Sequence, residues 1–171
     1  EIRRQIPLSV NDPFSPREAR NSRDKIEDLY QNQGYMDVSA RNNTLNMKVS
    51  YHPDKPVVDV RFEITEGKPV YVRRIKIRGL TKTRDNVVRR NLTFSPGERA
   101  SKKEMEESEQ DLRNTGYFDR QAPNKGVDIS LEPGEEQYRD ALVQVEEGRT
   151  GSLFLGGGIS SEAGFMGQFT I

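Results

Sequence analysis

The chain has 171 residues and 27 basic against 27 acidic side chains, so its net charge is zero and neither a general nucleic-acid binder nor a broad electrostatic membrane binder is indicated. Apolar residues make up 32%, too few for one large core and suited to small, thin domains. Cysteine is absent and His52 is the single histidine, which excludes disulfides, thiolate metal sites, Cys nucleophiles and multi-histidine zinc sites.

No apolar run approaches the ~18–20 residues of a spanning helix, and no signal-peptide pattern is present. Glu1 to Ile6 read as the middle of a helix, so the chain is expected to be a piece of a longer protein. A Pro-containing loop comes next. Ser15-Pro16-Arg17-Glu18 then form a capping box with Pro at the favoured first helical position. The helix carries Ala19, Ile26, Leu29 and Tyr30 on one side and ends at Gly34-Tyr35, Gly34 being a natural helix terminator. Leu45, Met47, Val49 and Tyr51 alternate with polar residues, as do Val58, Val60, Phe62 and Ile64 beyond the His52 to Pro56 turn. This pattern predicts a long hairpin with one apolar face.

Glu66-Gly67-Lys68-Pro69 is a short joint that restricts the orientation of the second half relative to the first. Residues 72–79 predict a strand with Ile75 and Ile77 inward and Arg74, Lys76 and Arg78 outward. Thr83 is the expected N-cap of a helix bearing Val87, Val88 and Leu92. The first half then recurs. Arg89-Arg90-Asn91-Leu92 repeats Arg3-Arg4-Gln5-Ile6, and the box Ser101-Lys102-Lys103-Glu104 stands 86 residues after the first. Gly116-Tyr117 stands 82 residues after Gly34-Tyr35, so the first helix is four residues longer, about one turn, which preserves its face. Met105 and Leu112 mark the second helix. Val127, Ile129 and Leu131, an extended loop from Glu132 to Asp140, and Ala141, Val143 and Val145 complete the unit. The full unit is strand, helix, helix, strand, strand over residues 69–150, and the first unit, 1–68, lacks its opening strand and most of its first helix.

Residues 151–171 differ. No Lys or Arg occurs after Arg149, and two Gly-rich stretches alternate apolar with small or polar residues, the weak dyad pattern of transmembrane barrel strands. Two strands cannot close a barrel or satisfy their own edges, so this tail is expected to be disordered or to pair with a neighbouring molecule. Gly156-Gly157-Gly158 lacks the Lys-Ser/Thr of a phosphate loop and reads as a weakly pairing strand.

Tyr71 to Gly79, Thr81 to Asp85, Val88-Arg89-Arg90, Pro96-Gly97 and Leu112 to Asp119 resemble a POTRA domain. Glu146 to Ser152 resembles the junction between the last POTRA domain and the barrel of BamA-type outer-membrane assembly proteins, and residues 66–72 resemble the joint between consecutive POTRA domains. The resemblance covers nearly the whole chain. It implies an α+β fold of two tandem β-α-α-β-β modules, each a three-stranded mixed sheet covered by two helices, and after them the first strands of an outer-membrane β-barrel. It implies a periplasmic position at the cell outer membrane, unfolded outer-membrane protein precursors and accessory periplasmic lipoproteins as partners, attachment to the outer membrane through the barrel, and strand addition at exposed sheet edges.

A thin sheet has two edges whose backbone groups can pair with an incoming strand with little side-chain selectivity, which suits a handler of many clients. The candidate edges are Leu45, Met47, Val49 and Tyr51, and Val127, Ile129 and Leu131, unless Lys48 and Lys125 blunt them. Eight Lys or Arg against one acid lie between Arg73 and Arg90, and five acids lie between Glu104 and Asp111. Arg74, Lys76, Arg78, Arg89 and Arg90 are therefore a candidate charged docking face, for a partner or a charged membrane surface. Gly156, Gly157 and Gly158 are a candidate weak barrel strand. The expectation is a non-enzymatic module with no cofactor, no metal and no nucleic-acid partner, since no nucleophile, metal set or acid–base pair is credible. A dedicated secretion transporter and a spacer without client binding are the alternatives.

Overall fold

The computed structural model describes residues 4–134, 136–148, 154–160 and 164–170. Its elements are α1 (Pro16–Gln31), β1 (Leu45–Tyr51), β2 (Val58–Ile64), β3 (Tyr71–Arg78), α2 (Asp85–Arg89), α3 (Lys102–Asn114), β4 (Val127–Leu131), β5 (Tyr138–Val145), β6 (Phe154–Ser160) and β7 (Gly164–Thr170). The fold is α+β. β1 and β2 form an antiparallel pair. β3, β5 and β4 form a mixed sheet in that order, with β3 parallel and β4 antiparallel to the central β5.

The serine half of each capping box forms. Ser15 Oγ accepts from Glu18 N and Ser101 Oγ from Glu104 N, each at 3.4 Å. The buried residues of α1 are Ala19, Ser22 and Ile26, and those of α3 are Met105, Ser108 and Leu112, each 86 positions on. The serines are an addition to the apolar stripes read from sequence. Ser22 Oγ accepts from Leu8 N at 3.1 Å, and Ser108 Oγ accepts from Thr93 N at 2.9 Å. A buried hydroxyl thus satisfies the loop ahead of each helix, a use of Ser that a hydrophobic pattern cannot show.

The cores differ in size. Leu112, Val72, Val88, Val127 and Val143 are almost fully buried in a core cluster of thirteen residues in the second unit, whereas the core cluster of the first is Ile26, Val38 and Leu45. One helix on two strands leaves Phe62 and Ile64 half-covered. At the other end of the large sheet, Gly79 has φ 94° and a Cβ there would lie 1.7 Å from Val145 O, so only glycine lets β3 turn against β5.

Two expectations are corrected. The helix expected after Thr83 begins at Asp85, so Arg84 and not Thr83 stands at the N-cap and no side-chain cap bond forms; Glu147 fixes the 81–83 backbone ahead of it, accepting from Thr83 N at 2.6 Å. The loop expected over 132–140 is shorter, because Tyr71 N bonds Gln137 O at 2.7 Å and the Tyr71 and Tyr138 rings stack at 5.4 Å, which draws 138–140 into β5. In the tail, expected to be disordered or to pair with a neighbouring molecule, β6 pairs antiparallel with β7. Residues 149–153, 161–163 and 171 lie outside the described set, as do 1–3 of the expected helix end.

The extra turn of α1 packs on the second unit. Lys102 Nζ reaches Asp28 at 2.7 Å, Lys103 N donates to Asn32 Oδ1 at 2.8 Å, and Val70 N donates to Gly34 O at 2.8 Å. Arg139 grips Asp37 with two bonds of 2.7 and 2.6 Å, and Met36 packs against the larger core. Gly34 has φ 89°, and a Cβ would meet Arg99 Cγ at 2.4 Å.

Two carboxylates tie the second unit together. A bulge between Val72 and Ile75 lets consecutive Arg73 and Arg74 converge on Asp140, each at 2.6 Å, with Lys76 at 2.8 Å. The Arg73 guanidinium, then Lys76 and Arg74, hold the Asp140 carboxyl well below the usual carboxylate range although its side chain has no exposed surface. Glu147 accepts from the Thr81 hydroxyl and from the amides of Thr81, Lys82 and Thr83, and these bonds hold its carboxyl equally low.

Leu112→Ala should destabilise the second unit by about 3 kcal/mol in urea unfolding, because a fully buried branched side chain leaves a cavity. Asp140 and Glu147 bind protons less readily folded than unfolded. Their contribution is therefore complete above the unfolded carboxylate range near about pH 4 and is lost as pH falls toward the folded values. Asp140→Asn should lower Tm at neutral pH and flatten the acid limb, so that its Tm converges with that of the original chain on acidification. A gap constant with pH would show that the network contributes nothing ionic.

Candidate functional site: strand edges and charged faces

Alternation along an antiparallel pair decides which backbone groups point outward. Thr65 N bonds Thr44 O and His52 N bonds Val57 O, so the even-numbered residues of β1 pair with β2. The odd-numbered ones, Leu45, Met47, Val49 and Tyr51, turn their N–H and C=O away. Leu45 N is taken by Ser39 O at 3.3 Å. The outward groups of Met47, Val49 and Tyr51 have no hydrogen-bond partner among the described residues. Lys48 does not cover this edge, since its Nζ is held by Glu63 at 2.7 Å. Leu45 is buried, Met47 and Val49 are half-buried, and Tyr51 is exposed with its ring edge-on to Phe14 at 6.1 Å.

The second candidate edge is different. Glu132 N bonds Asp140 O and Glu146 N bonds Gly126 O, so Val127, Ile129 and Leu131 are the outward residues of β4. Ile129 N donates to Glu109 Oε1 at 2.8 Å, and Val127 O accepts from Arg113 at 3.0 Å. Glu109 and Arg113 are themselves paired at 2.7 Å on α3. This helix therefore seals with side chains two of the three outward positions. Lys125 lies in the turn ahead of β4 with φ 54°. The far edge of the same sheet is also covered. Val72 exchanges bonds with Gly97 and Glu98, and Ile75 O accepts from Arg89 at 3.4 Å.

An edge that sequence reasoning missed is the outer side of β2. Its odd-numbered partners of β1 are Asp59, Arg61 and Glu63, so Val58, Val60, Phe62 and Ile64 turn outward. A groove of about 880 Å³ runs beside it, walled by residues 6–14, with Ile26 at its floor. The signal was in the repeat. β3 lies on β5, and the place matching β3 is the side of β2 away from β1.

The charged face divides. Arg74 and Lys76 are spent on Asp140, and Lys76 also reaches Glu132 at 2.7 Å. Arg89 is held by Asp85 one helical turn away. Arg78 and Arg90 are exposed and have no ion pair among the described residues. The sequence could not separate these classes, because Asp140 stands 66 residues from Arg74. Gly156, Gly157 and Gly158 lie in β6 opposite Gln168, Gly167 and Met166. His52 is 3.8 Å from Asp59 at the exposed hairpin turn. No cluster of metal-ligating side chains occurs among the described residues.

Comparison with known proteins gives this geometry a family. The BamA outer-membrane assembly factor of Neorickettsia risticii is 32% identical over 127 residues, covering 74% of this chain and 16% of that protein. The BamA of Nitratidesulfovibrio vulgaris is 30% identical over 137 residues, covering 80% of this chain and 16% of that protein. The chain thus spans about one sixth of the length of these relatives. The fold matches a crystal structure of Haemophilus ducreyi BamA lacking POTRA domains 1–3, with TM-score 0.73, 19% identity, and coverage of 96% of this chain and 30% of that one. It also matches POTRA domains 3–5 of Haemophilus influenzae BamA, with TM-score 0.67, 19% identity, and coverage of 82% and 52%. The POTRA family profile, described as a surface antigen variable number repeat, matches residues 1–67 and again 70–148, and the chain belongs to that family.

Proposed function

We propose that this chain is the membrane-proximal periplasmic part of an outer-membrane protein assembly factor. It receives unfolded β-barrel precursors by strand addition, docks accessory periplasmic lipoproteins, and does no catalysis. β6 and β7 are read as the first strands of the barrel that anchors it, with Gly156 to Gly158 as a weakly pairing stretch. Residues 1–68 are read as a penultimate module, 69–150 as the last module and 151–171 as the barrel start. The observation that carries the reading is the open outer edge of β1, where Met47, Val49 and Tyr51 offer unpaired backbone groups beside a half-buried apolar face. Backbone pairing there takes any extended client and asks little of its sequence.

The groove on β2 is read as the seat of the first module's own opening strand, by analogy with β3 on β5. That leaves β1 as the edge for a client. In the last module Glu109 and Arg113 close β4, which directs clients to the first module. Arg90, exposed at the end of α2, belongs to the surface assigned to accessory factors.

The test is a titration of the chain with peptides from the last strand of outer-membrane barrels, monitored by amide NMR. Shifts should concentrate at Met47, Val49 and Tyr51. Val49→Pro removes only an outward N–H and leaves the bonds to β2, so it should weaken peptide binding about five-fold, the worth of one net hydrogen bond. Glu109→Ala with Arg113→Ala should open β4 and add shifts at 127–131. Shifts nowhere in 45–51 at saturating peptide would transfer the reading to a spacer that binds no client.

A further inference from the structure

The outer edge of β1 lacks the devices that keep one sheet edge from pairing with another chain. Lys48 is turned to Glu63, no proline stands between Leu45 and Tyr51, and the pairing with β2 runs without a bulge. The other edge of the pair is not equivalent, because residues 6–14 wall the groove beside β2.

The open run has a centre. Leu45 N is held by Ser39 O at 3.3 Å, and His52 N by Val57 O at 3.1 Å in the turn, so the free outward groups belong to Met47, Val49 and Tyr51. The same residues of a second copy, running antiparallel, match them. Val49 then faces Val49 of the second copy, and Met47 faces its Tyr51. Each facing pair exchanges two backbone bonds, and no outward N–H or C=O is left over.

Neighbouring registers do worse. Shifted one way, Tyr51 faces Leu45 of the second copy, whose N–H is already taken, and Lys48 stands directly opposite Lys48, an unfavourable like-charge pair. Shifted the other way, Met47 faces Pro53, which has no N–H to give. In the register centred on Val49, exposed Lys48 falls beside Ser50 of the second copy. On the opposite face, half-buried Met47 and Val49 continue the layer that Leu45 makes with Ile26. Both copies present that face on the same side, so each extends the thin apolar layer of the other.

We propose that two copies of this chain pair through β1, antiparallel and centred on Val49, joining their two-stranded sheets into one of four strands. The contact is a short edge, so the dimer is transient. It uses the backbone groups that a client would use, so second copy and client exclude each other, and dimerisation masks the edge until a client arrives. The inference rests on the open edge and not on client binding, and failure of the peptide titration would sink the client reading alone.

The experiment is sedimentation equilibrium of the full chain from about 10 µM to about 1 mM, without peptide. The chain should dimerise over this range. Residue 50 tests the register, since it lies beside Lys48 of the other copy at two symmetric places. In low salt, Ser50→Glu should tighten the dimer about five-fold and Ser50→Lys should weaken it about five-fold. Asp59, opposite Ser50 on β2, is present in monomer and dimer alike and cancels. Association through β6 and β7 is indifferent to residue 50, so the difference between the variants reports the β1 edge. Val49→Pro removes a bond from each copy and should weaken the dimer about twenty-five-fold. A chain that stays monomeric throughout, or variants at residue 50 that shift association equally or not at all, would overturn the proposal. Circular dichroism checks that each variant is folded.

Discussion

A sheet edge must satisfy its outward N–H and C=O groups, and how each edge here does so organises the molecule. β3 uses backbone, exchanging bonds with the 97–98 segment. β4 uses the Glu109 and Arg113 side chains of α3. Between them these solutions cover most of the outward groups of the larger sheet, Leu131 on β4 excepted. β1 and β2 use neither. A lone pair of strands covered by one helix is marginal on its own, and its three-residue core shows why the first module leans on the second. The two open edges and the thin core go together, because a two-stranded sheet has no third strand to close an edge or to add burial under the helix.

The leaning has a specific structure. α1 and α3 align residue for residue through Ile26 and Leu112, and the length difference falls entirely after them. The added turn is the part that reaches across, with Asp28 to Lys102, Asn32 to the amide of Lys103, and Gly34 to Arg99 and Val70. Asn32 supplies a side-chain acceptor to an N-terminal amide of α3 that Ser101 does not reach, so one helix end is capped by both modules. Asp37 with Arg139 adds a two-bond planar contact that fixes direction as well as distance. Insertion of one turn left the buried face unchanged and created a bracket.

Legibility tracks sequence distance. The caps, the Gly34 and Gly116 stops, the hairpin over 45–64 and the 86-residue repeat are readable because each depends on neighbours a few positions away. Thr83 is misread because Glu147, 64 residues on, fixes the 81–83 backbone and the helix starts one residue later, with Arg84 at the cap. The charged face is misread in part because Asp140, 66 or 67 residues from Arg74 and Arg73, neutralises the centre of it. The β4 edge looks as open as β1 because nothing in 127–131 reveals that Glu109, 20 residues earlier, points at Ile129 N. Edges are visible as alternation, but their occupancy is a tertiary fact.

The two ends of the second module then have opposite tasks. One end takes the extra turn of α1 and the Asp37 carboxylate, and the basic residues there, Lys102 and Arg139, are consumed in doing so. The other end holds its outgoing segment with backbone bonds and amide-held Glu147, which uses none of its basic side chains. Securing the exit with amides is what keeps Arg78, Lys82, Arg84, Arg120 and Lys125 available. Glu147 keeps its negative charge in that clamp, because amide bonds hold a carboxylate without neutralising it.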